Sequence, residues 1–534
     1  MTLKRIILSI LTLVVVLRMG SVLISSLGQP QVGNQLQLYQ TDLLLQASEW
    51  DGSGLPSDEV QQFRRAVFGE DVLETAVEQY QEVRSTSATG LERLQQQLES
   101  APLADVEETQ LLSTSTAQQL LINRIDLRLG MVQAHNGEVD KAIKTWQKLV
   151  SNGDQAPPSV DRATAAAAAA LIDLWQDPAT VHPETAATIN ETLAGWFRYR
   201  VLERLYTVEN QPDQLSQLQA RERDVAEQTL IKLSVVNIIP SLAALIGTAG
   251  LIALVGQRLL RGKVSILALP ERRWEVPWDW EVIWQVIVGG FLFVGQIVLP
   301  VMIQFVLLAV TATELTSAIE VGTLPTADFA LIGLADLGLT GRGRAIYSLG
   351  FYTLMALSTL GILYGSIKAY LPISKEWFRV KLADKWLLWG LGSYLVALPL
   401  MLAVSLLNQQ IWQGQGGNNP LLQLVLEERD PLTLGIFLFT AAVAAPVFEE
   451  ILFRGFLLPS LTRYMPVWGA IGLSSLIFSV AHLSFSEVLP LTVLGAILGF
   501  VYVRSRNLLS SILLHSAWNS VTMIGLFVLG SGGS

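Results

Sequence analysis

The 534-residue sequence contains no cysteine and only four histidines, and charged residues make up just 15% of it. Without cysteine there is no disulfide framework, no thiolate nucleophile and no cysteine-based zinc, haem or iron–sulfur site. The net charge of −10 argues against nucleic acid as a partner. No glycine-rich phosphate loop stands between a strand pattern and a helix pattern, which leaves nucleotide sites of that kind without support.

What is abundant is apolar length, since hydrophobic residues make up 51% of the chain. Polar residues concentrate between about 30 and 232, a region rich in Gln, Glu and Asp with helical periodicity. From residue 233 onward apolar runs alternate with short charged connectors. The fold class expected is all-α: a polytopic transmembrane helical bundle with an extramembrane α-helical domain. The division expected is an N-terminal membrane anchor at 1–29, the helical domain at 30–232, transmembrane helices at 233–383 and a C-terminal core at 384–534.

The first apolar run, "IILSILTLVVVL", follows Lys4 and Arg5 and continues past Arg18 with no small-x-small cleavage site. It reads as an uncleaved anchor rather than a signal peptide. Eight further spans are expected near 233–256, 282–310, 346–367, 386–407, 432–454, 466–485, 488–503 and 508–530. Basic connectors (Arg258, Arg261, Lys263, Arg272 and Arg273; Lys368 to Lys385; Arg454 and Arg463; Arg504 and Arg506) alternate with acidic or neutral ones. By the positive-inside rule the N-terminus is then cytoplasmic (stromal in a plastid) and the helical domain outside. A bacterial inner membrane, or a thylakoid or plastid membrane, suits this composition.

In the polar region "LRLGMVQAHNGEVDKAIKTWQKL" and "YRVLERLYTVENQPDQLSQL" each read as a helix, a turn and a second helix. The first resembles a tetratricopeptide repeat, with Gly137 at the turn and Ala142 and Trp146 on the packing face; a generic helical hairpin is the alternative. Such a domain suits a protein partner rather than catalysis. His135 and His182 are isolated there and read as surface residues.

The chemistry lies near the C-terminus. In "APVFEEILFRGF" two glutamates and an arginine interrupt an apolar span, each costing roughly 2.5–3.5 kcal/mol at the bilayer centre. Glu450 and Arg454 are four apart and share a helix face, so they can pair. Glu449 lies about 100° around the helix and needs a partner from elsewhere. Two of the four histidines also fall in apolar spans, in "FSVAH" with Phe478 and His482, and in "HSAWN" with His515 and Asn519. At i, i+4 His515 and Asn519 can act on one oxygen. A lone intramembrane histidine is commonly a helix–helix hydrogen-bonding residue; several polar residues together in the last spans fit that reading less well.

"EEILFR", "FSVAH" and "HSAWN", in this order, resemble the three motifs of the CPBP family of intramembrane proteases (CAAX processing enzymes and bacteriocin-processing or immunity relatives, also called Abi). The resemblance covers roughly residues 384–530. It implies hydrolysis of peptide bonds in membrane-embedded or lipid-modified peptides, with Glu449 as general base toward a water and His482 positioning that water. His515 and Asn519 would donate to the oxyanion, while Glu450, Arg454 and Phe478 give structural support. A metal-independent Glu/His mechanism is preferred, with zinc held by Glu449, His482 and His515 as the alternative. A non-proteolytic scaffold or immunity-type binding protein is the other functional reading. A proton-coupled transporter is disfavoured, because no repeated half with broken helices is visible.

One difficulty is depth. On ideal straight spans Glu449 falls near the inner end, His515 about 10 Å in and His482 about 24 Å in. Pro446, Pro459 and Pro466 allow a kink or a longer tilted helix that would carry Glu449 toward mid-membrane.

Overall fold

The computed structural model describes residues 2–27, 32–52, 56–69, 71–100, 105–153, 161–269, 273–310, 339–412, 416–417 and 420–530. Arg272 and the boundary expected at 29/30 lie outside the described residues. Among the described residues the chain is helical and contains no strand, as its patterning requires. It divides into two compact units, residues 1–31 with 240–527, and residues 32–239 with 528–534.

The second unit is a stack of helical hairpins around buried Tyr80, Trp146, Trp196 and Phe197. Both expected turns are present. Helix Asp105–His135 meets helix Val139–Gly153 through Gly137, whose φ of +83° suits a residue without Cβ. Helix Gly195–Val208 turns through Asn210 into a helix beginning at Pro212. Ala142 and Trp146 are fully buried, as the packing face predicts. The indole of Trp146 donates to the Leu127 carbonyl at 3.1 Å and lies so close to Gly130 that a Cβ there would overlap its Nε1. His182 is exposed and sits 3.3 Å from Asp173. His135 departs from expectation: it is half-buried, packs edge-on against Trp196 at 5.4 Å and lines a cavity of about 540 Å³. The apolar neighbours that make its surroundings lie far away in sequence, so its isolation in the chain did not expose it.

Eight helices of the chain are long and apolar enough to cross a membrane, among the described residues. They are α1 (Leu3–Ser26), α2 (Pro212–Val264), α3 (Trp280–Ile303), α4 (Gly341–Tyr370), α5 (Trp386–Trp412), α6 (Pro431–Leu461), α8 (Phe485–Ser505) and α9 (Leu508–Leu529), with a shorter apolar helix α7 (Val467–Val480) between α6 and α8. α1 is packed into the bundle: the Trp284 indole on α3 donates to Thr12 at 2.7 Å, and Arg5 bonds Glu281 at 2.5 Å.

Two spans differ from the sequence expectation, and both differences shape the site. The span expected at 432–454 is the 31-residue α6, started by Asp430, whose carboxylate caps the Thr433 amide, and by Pro431 in the first turn. Glu449 therefore stands twelve residues, about 18 Å, from the end of its helix rather than near it. The span expected at 466–485 stops at Val480 after only 14 residues. At about 21 Å it falls short of the ~30 Å hydrocarbon core.

His482 explains that stop. In a continuing helix its amide would bond the Phe478 carbonyl; instead its own ring takes that carbonyl at 2.8 Å, and the amide bonds Ser479. Leu483 follows at φ +58°, a left-handed conformation uncommon for leucine. Irregular backbone between apolar helices must be satisfied by protein. Here Gln296 donates to the Ala481 carbonyl at 3.1 Å, Ser26 accepts from the Phe485 amide at 3.2 Å, and Ser484 and Ser486 donate to the carbonyls of Gly416 and Gly417.

Candidate active site

The two adjacent glutamates of α6 face different neighbours, as their 100° offset requires. Glu450 is fully buried and receives Arg454 at 2.6 Å. The Arg454 guanidinium also donates to the Gly495 carbonyl on α8 at 3.1 Å and lies 4.7 Å above the Phe478 ring of α7. Gly495 lets α7 and α8 approach, since a Cβ there would lie only 3.0 Å from Ser475. Phe478 in turn presents its ring edge-on to both imidazoles, at 4.9 Å from His482 and 5.9 Å from His515. One phenyl ring thus contacts one guanidinium and two imidazoles.

His515 of α9 reaches both carboxylates. Its Nδ1 lies 3.0 Å from Glu450 and its Nε2 lies 3.7 Å from Glu449. A partner for Glu449 from a later span, His482 or His515, was expected; that the same imidazole would also reach Glu450 was not. The other oxygen of Glu449 accepts a 2.7 Å hydrogen bond from the Tyr352 hydroxyl on α4. Tyr352 was not singled out from sequence: a tyrosine within an apolar span carries no motif, and its partner lies 97 residues away. Gln296, which holds the turn before His482, was missed for the same reason.

His482 comes to the site through Phe478. Because a carbonyl only accepts, its Nδ1 carries the proton given to Phe478, and its Nε2 keeps a lone pair. That tautomer suits accepting a proton from water and does not suit donating to an oxyanion.

Asn519 has a structural duty that its motif did not reveal. The Ala445 amide bonds Thr440, five residues back, so this stretch of α6 is wound in the wider π register. In that register the donor for the Ala441 carbonyl would be residue 446, and Pro446 has no N–H. Asn519 fills the vacancy, donating its Nδ2 to the Ala441 carbonyl at 2.7 Å. One of its two amide hydrogens is thereby used, and the other stays free to serve a reacting oxygen. A second π-wound stretch, Ile451–Leu457, carries Arg454.

Of the three donors of the zinc alternative, Glu449 and His515 face each other at 3.7 Å. Among the described residues no three His, Cys, Asp or Glu side chains converge as a metal-holding group.

Residues 431–521, which include Glu449, Glu450, Arg454, Phe478, His482, His515 and Asn519, match the family described as type II CAAX prenyl endopeptidase Rce1-like. Among curated proteins, the membrane-embedded CAAX protease MroQ of Staphylococcus aureus (strain USA300) is 26% identical over 178 residues, covering 32% of this chain and 70% of MroQ. YdiL of Bacillus subtilis (strain 168) is 24% identical over 138 residues, covering 26% of this chain and 55% of YdiL. The UPF0177 protein YxdF of Lactococcus lactis subsp. lactis (strain IL1403) is 32% identical over 82 residues, covering 15% of this chain and 45% of YxdF. The matches therefore span only about half the length of the latter two relatives. No solved structure matches the chain. The apolar helices and these relatives make it a multi-pass membrane protein. Within its bundle, residues 431–521 are similar to a Rce1-like CAAX prenyl endopeptidase domain.

Proposed function

We propose that the protein is an intramembrane endopeptidase that hydrolyses peptide bonds of membrane-embedded or lipid-modified peptides through a water activated by Glu449. The observation that carries this reading is the approach of His515 Nε2 to Glu449 Oε2 at 3.7 Å, between helices α6 and α9. Two ideal spans would have kept these groups at different depths; their approach across helices is what a shared chemical task requires. The coarse reading of a membrane protease is also that of the family match and of the names of its relatives.

The residues divide the reaction as follows. Glu449 takes a proton from water while the oxygen attacks the peptide carbonyl carbon, and the carbonyl electrons move onto the oxyanion. The Nε2 of His482 accepts the water's other hydrogen as a bond and fixes its direction. The free N–H of Asn519 donates to the oxyanion, and so does His515 through Nε2 when that nitrogen carries a proton while Nδ1–H stays on Glu450; one such donor is worth about 3–4 kcal/mol. The C–N bond then breaks, the amine leaves with the proton from Glu449, and a carboxylic acid remains. Every step uses side chains of this chain, and none calls on a metal. The substrate is a peptide in or at the bilayer, and the helical unit is proposed to recruit a protein partner. The orientation that follows from the basic connectors places the helical unit outside and the N-terminus inside.

The test compares membranes carrying the wild type with membranes carrying Glu449→Gln by whole-proteome N-terminal mapping. New N-termini that vanish in the variant support the reading. Identical N-termini, with both proteins folded to the same level, would make it a scaffold on this fold. Cleavage abolished by a chelator and restored by zinc would overturn the metal-independent route.

A further inference from the structure

We propose that Tyr352 is a positioning residue of this site: its phenol fixes one oxygen of Glu449 so that the other is presented to the water. The proposal rests on the hydrolytic reading above. Tyr352 stands on α4, outside the matched residues 431–521, and yet it makes the shorter of the two contacts to the Glu449 carboxylate.

The geometry is that of a directed bond. The Tyr352 hydroxyl donates to Oε1 of Glu449 at 2.7 Å, while Oε2 faces His515 Nε2 at 3.7 Å. A short O–H···O bond of this kind to a carboxylate is among the stronger hydrogen bonds in proteins. A glutamate needs it here because its last torsion is broad and nearly twofold, so the two oxygens exchange freely unless one is held. The guanidinium nearest in sequence cannot hold it, since Arg454 is bonded to Glu450 and the Gly495 carbonyl.

Tyr352 is itself braced. Its ring meets Phe448, the residue before Glu449, edge-on at 5.9 Å. Phe448 packs against Phe291 of α3 at 6.0 Å, and Phe291 against Phe453 of α6 at 5.6 Å. Four aromatic rings from three helices thus set where the phenol oxygen stands. A phenylalanine at 352 would keep the ring contacts and remove only the donor. Had the bond merely satisfied a polar carboxylate among apolar helices, its loss would lower stability and leave turnover alone. A bond that selects the working oxygen has the opposite signature.

The experiment uses the full chain in proteoliposomes as wild type, Tyr352→Phe, Glu449→Gln and the double variant. The probe is an internally quenched peptide ending in a prenylated CAAX tail. Tyr352→Phe is expected to lower kcat about 10- to 100-fold with KM within about twofold, the loss typical of a misplaced reacting group. The unfolding midpoint should stay put, and the same change should add nothing in the Glu449→Gln background. Infrared difference spectra supply a readout that needs no turnover. Glu449→Gln identifies the carboxylate stretching band of Glu449, and Tyr352→Phe is expected to shift it. Turnover of Tyr352→Phe within about twofold of wild type, with Glu449→Gln inactive, overturns the positioning role and leaves the hydrolytic reading standing. Cleavage undiminished by Glu449→Gln overturns the hydrolytic reading and this proposal with it. Should the wild type not cut the probe, the Glu449 band decides: a shift supports the held oxygen, and an unmoved band overturns it.

Discussion

The Nδ1 of His515 lies 3.0 Å from the Glu450 oxygen that Arg454 holds at 2.6 Å, so three ionisable groups meet with almost no water. Glu450 is 0% and Arg454 1% exposed. Charges buried this far stand only while each has its partner. Glu450→Gln leaves Arg454 uncompensated, and Arg454→Met leaves Glu450 so; each should cost about 3–5 kcal/mol. The double variant Glu450→Gln/Arg454→Met removes both charges and should be milder than the sum of the singles. Thermal unfolding of the four proteins in detergent gives the cycle. Additive losses would show that the pair is not coupled. Activity should fall in Glu450→Gln and in the double variant, because the imidazole facing Glu449 loses the carboxylate that anchors it, and in Arg454→Met because that carboxylate loses the guanidinium that fixes it.

Pro446 and Asn519 are predicted to be coupled through one carbonyl, although they lie on different helices. Asn519→Ala leaves the Ala441 oxygen without its donor, a loss of about 1–3 kcal/mol for a buried acceptor. Pro446→Ala restores an N–H at the residue that the π register aims at that carbonyl. Asn519→Ala should therefore be less damaging to stability in a Pro446→Ala background than alone. Turnover separates the second duty of Asn519: the stability rescue should not bring back the oxyanion donor. Equal stability losses for Asn519→Ala in both backgrounds would refute the shared carbonyl.

The all-α class, the hairpin turns and the Glu450–Arg454 pair were legible in the sequence because each rests on local spacing: 3.6-residue periodicity, a turn at Asn136 and Gly137, an i, i+4 offset. The depth of Glu449 was legible only as one option, the longer helix that Pro446, Pro459 and Pro466 allow, because it depends on how long α6 runs. Its polar end at Thr462 and Arg463 lies past the point where hydropathy alone ended the span. The short helix α7 was hidden for a different reason: its stop is made by a histidine ring competing for its own helix's carbonyl, which no propensity scale records. Tyr352 and Gln296 were illegible because their partners, Glu449 and the Ala481 carbonyl, are distant in sequence and neither stands in a motif. Motif spacing named polar residues of the last spans; the residues that aim them come from helices α3 and α4.

Gly130 is predicted to be intolerant of any side chain. A Cβ there would overlap Trp146 Nε1, and the displaced indole would lose its 3.1 Å bond to Leu127. Gly130→Ala should cost about 1–3 kcal/mol, as overpacking does. Hydrogen exchange should quicken across 127–149. Gly137→Ala is the control: its φ of +83° makes alanine strained, but no atom lies within 4 Å, so Trp146 should stay protected. Equal effects of the two changes on exchange near Trp146 would refute the close approach.

His135 gives the helical unit a defined acid sensitivity. Burial, with help from the Arg200 guanidinium, pulls its pKa down from 6.5 to about 4, and Glu203 opposes this only in part. Between these two values the unfolded chain binds a proton that the folded unit refuses, so stability must rise with pH there. The contribution is fully present above pH 6.5 and is lost as pH falls through 6.5 toward 4. At ~1.4 kcal/mol per pKa unit the full swing is at most about 3–4 kcal/mol, reduced by the solvent that reaches the half-buried ring. Glu49 lies in the same cavity and faces Arg200 and the Trp196 indole, which donates to it at 2.6 Å. Its pKa is raised, with burial the largest cause, so its own contribution runs the other way, falling as pH rises. Substituting His135→Gln isolates the histidine term, leaving Glu49 in place. Hydrogen-exchange protection, corrected for the intrinsic pH dependence, in helices Asp105–His135 and Gly195–Val208 should fall on acidification more in the wild type than in the variant. Parallel pH profiles for the two proteins would mean that His135 titrates alike in the folded and unfolded chain, and that the cavity leaves it open to water.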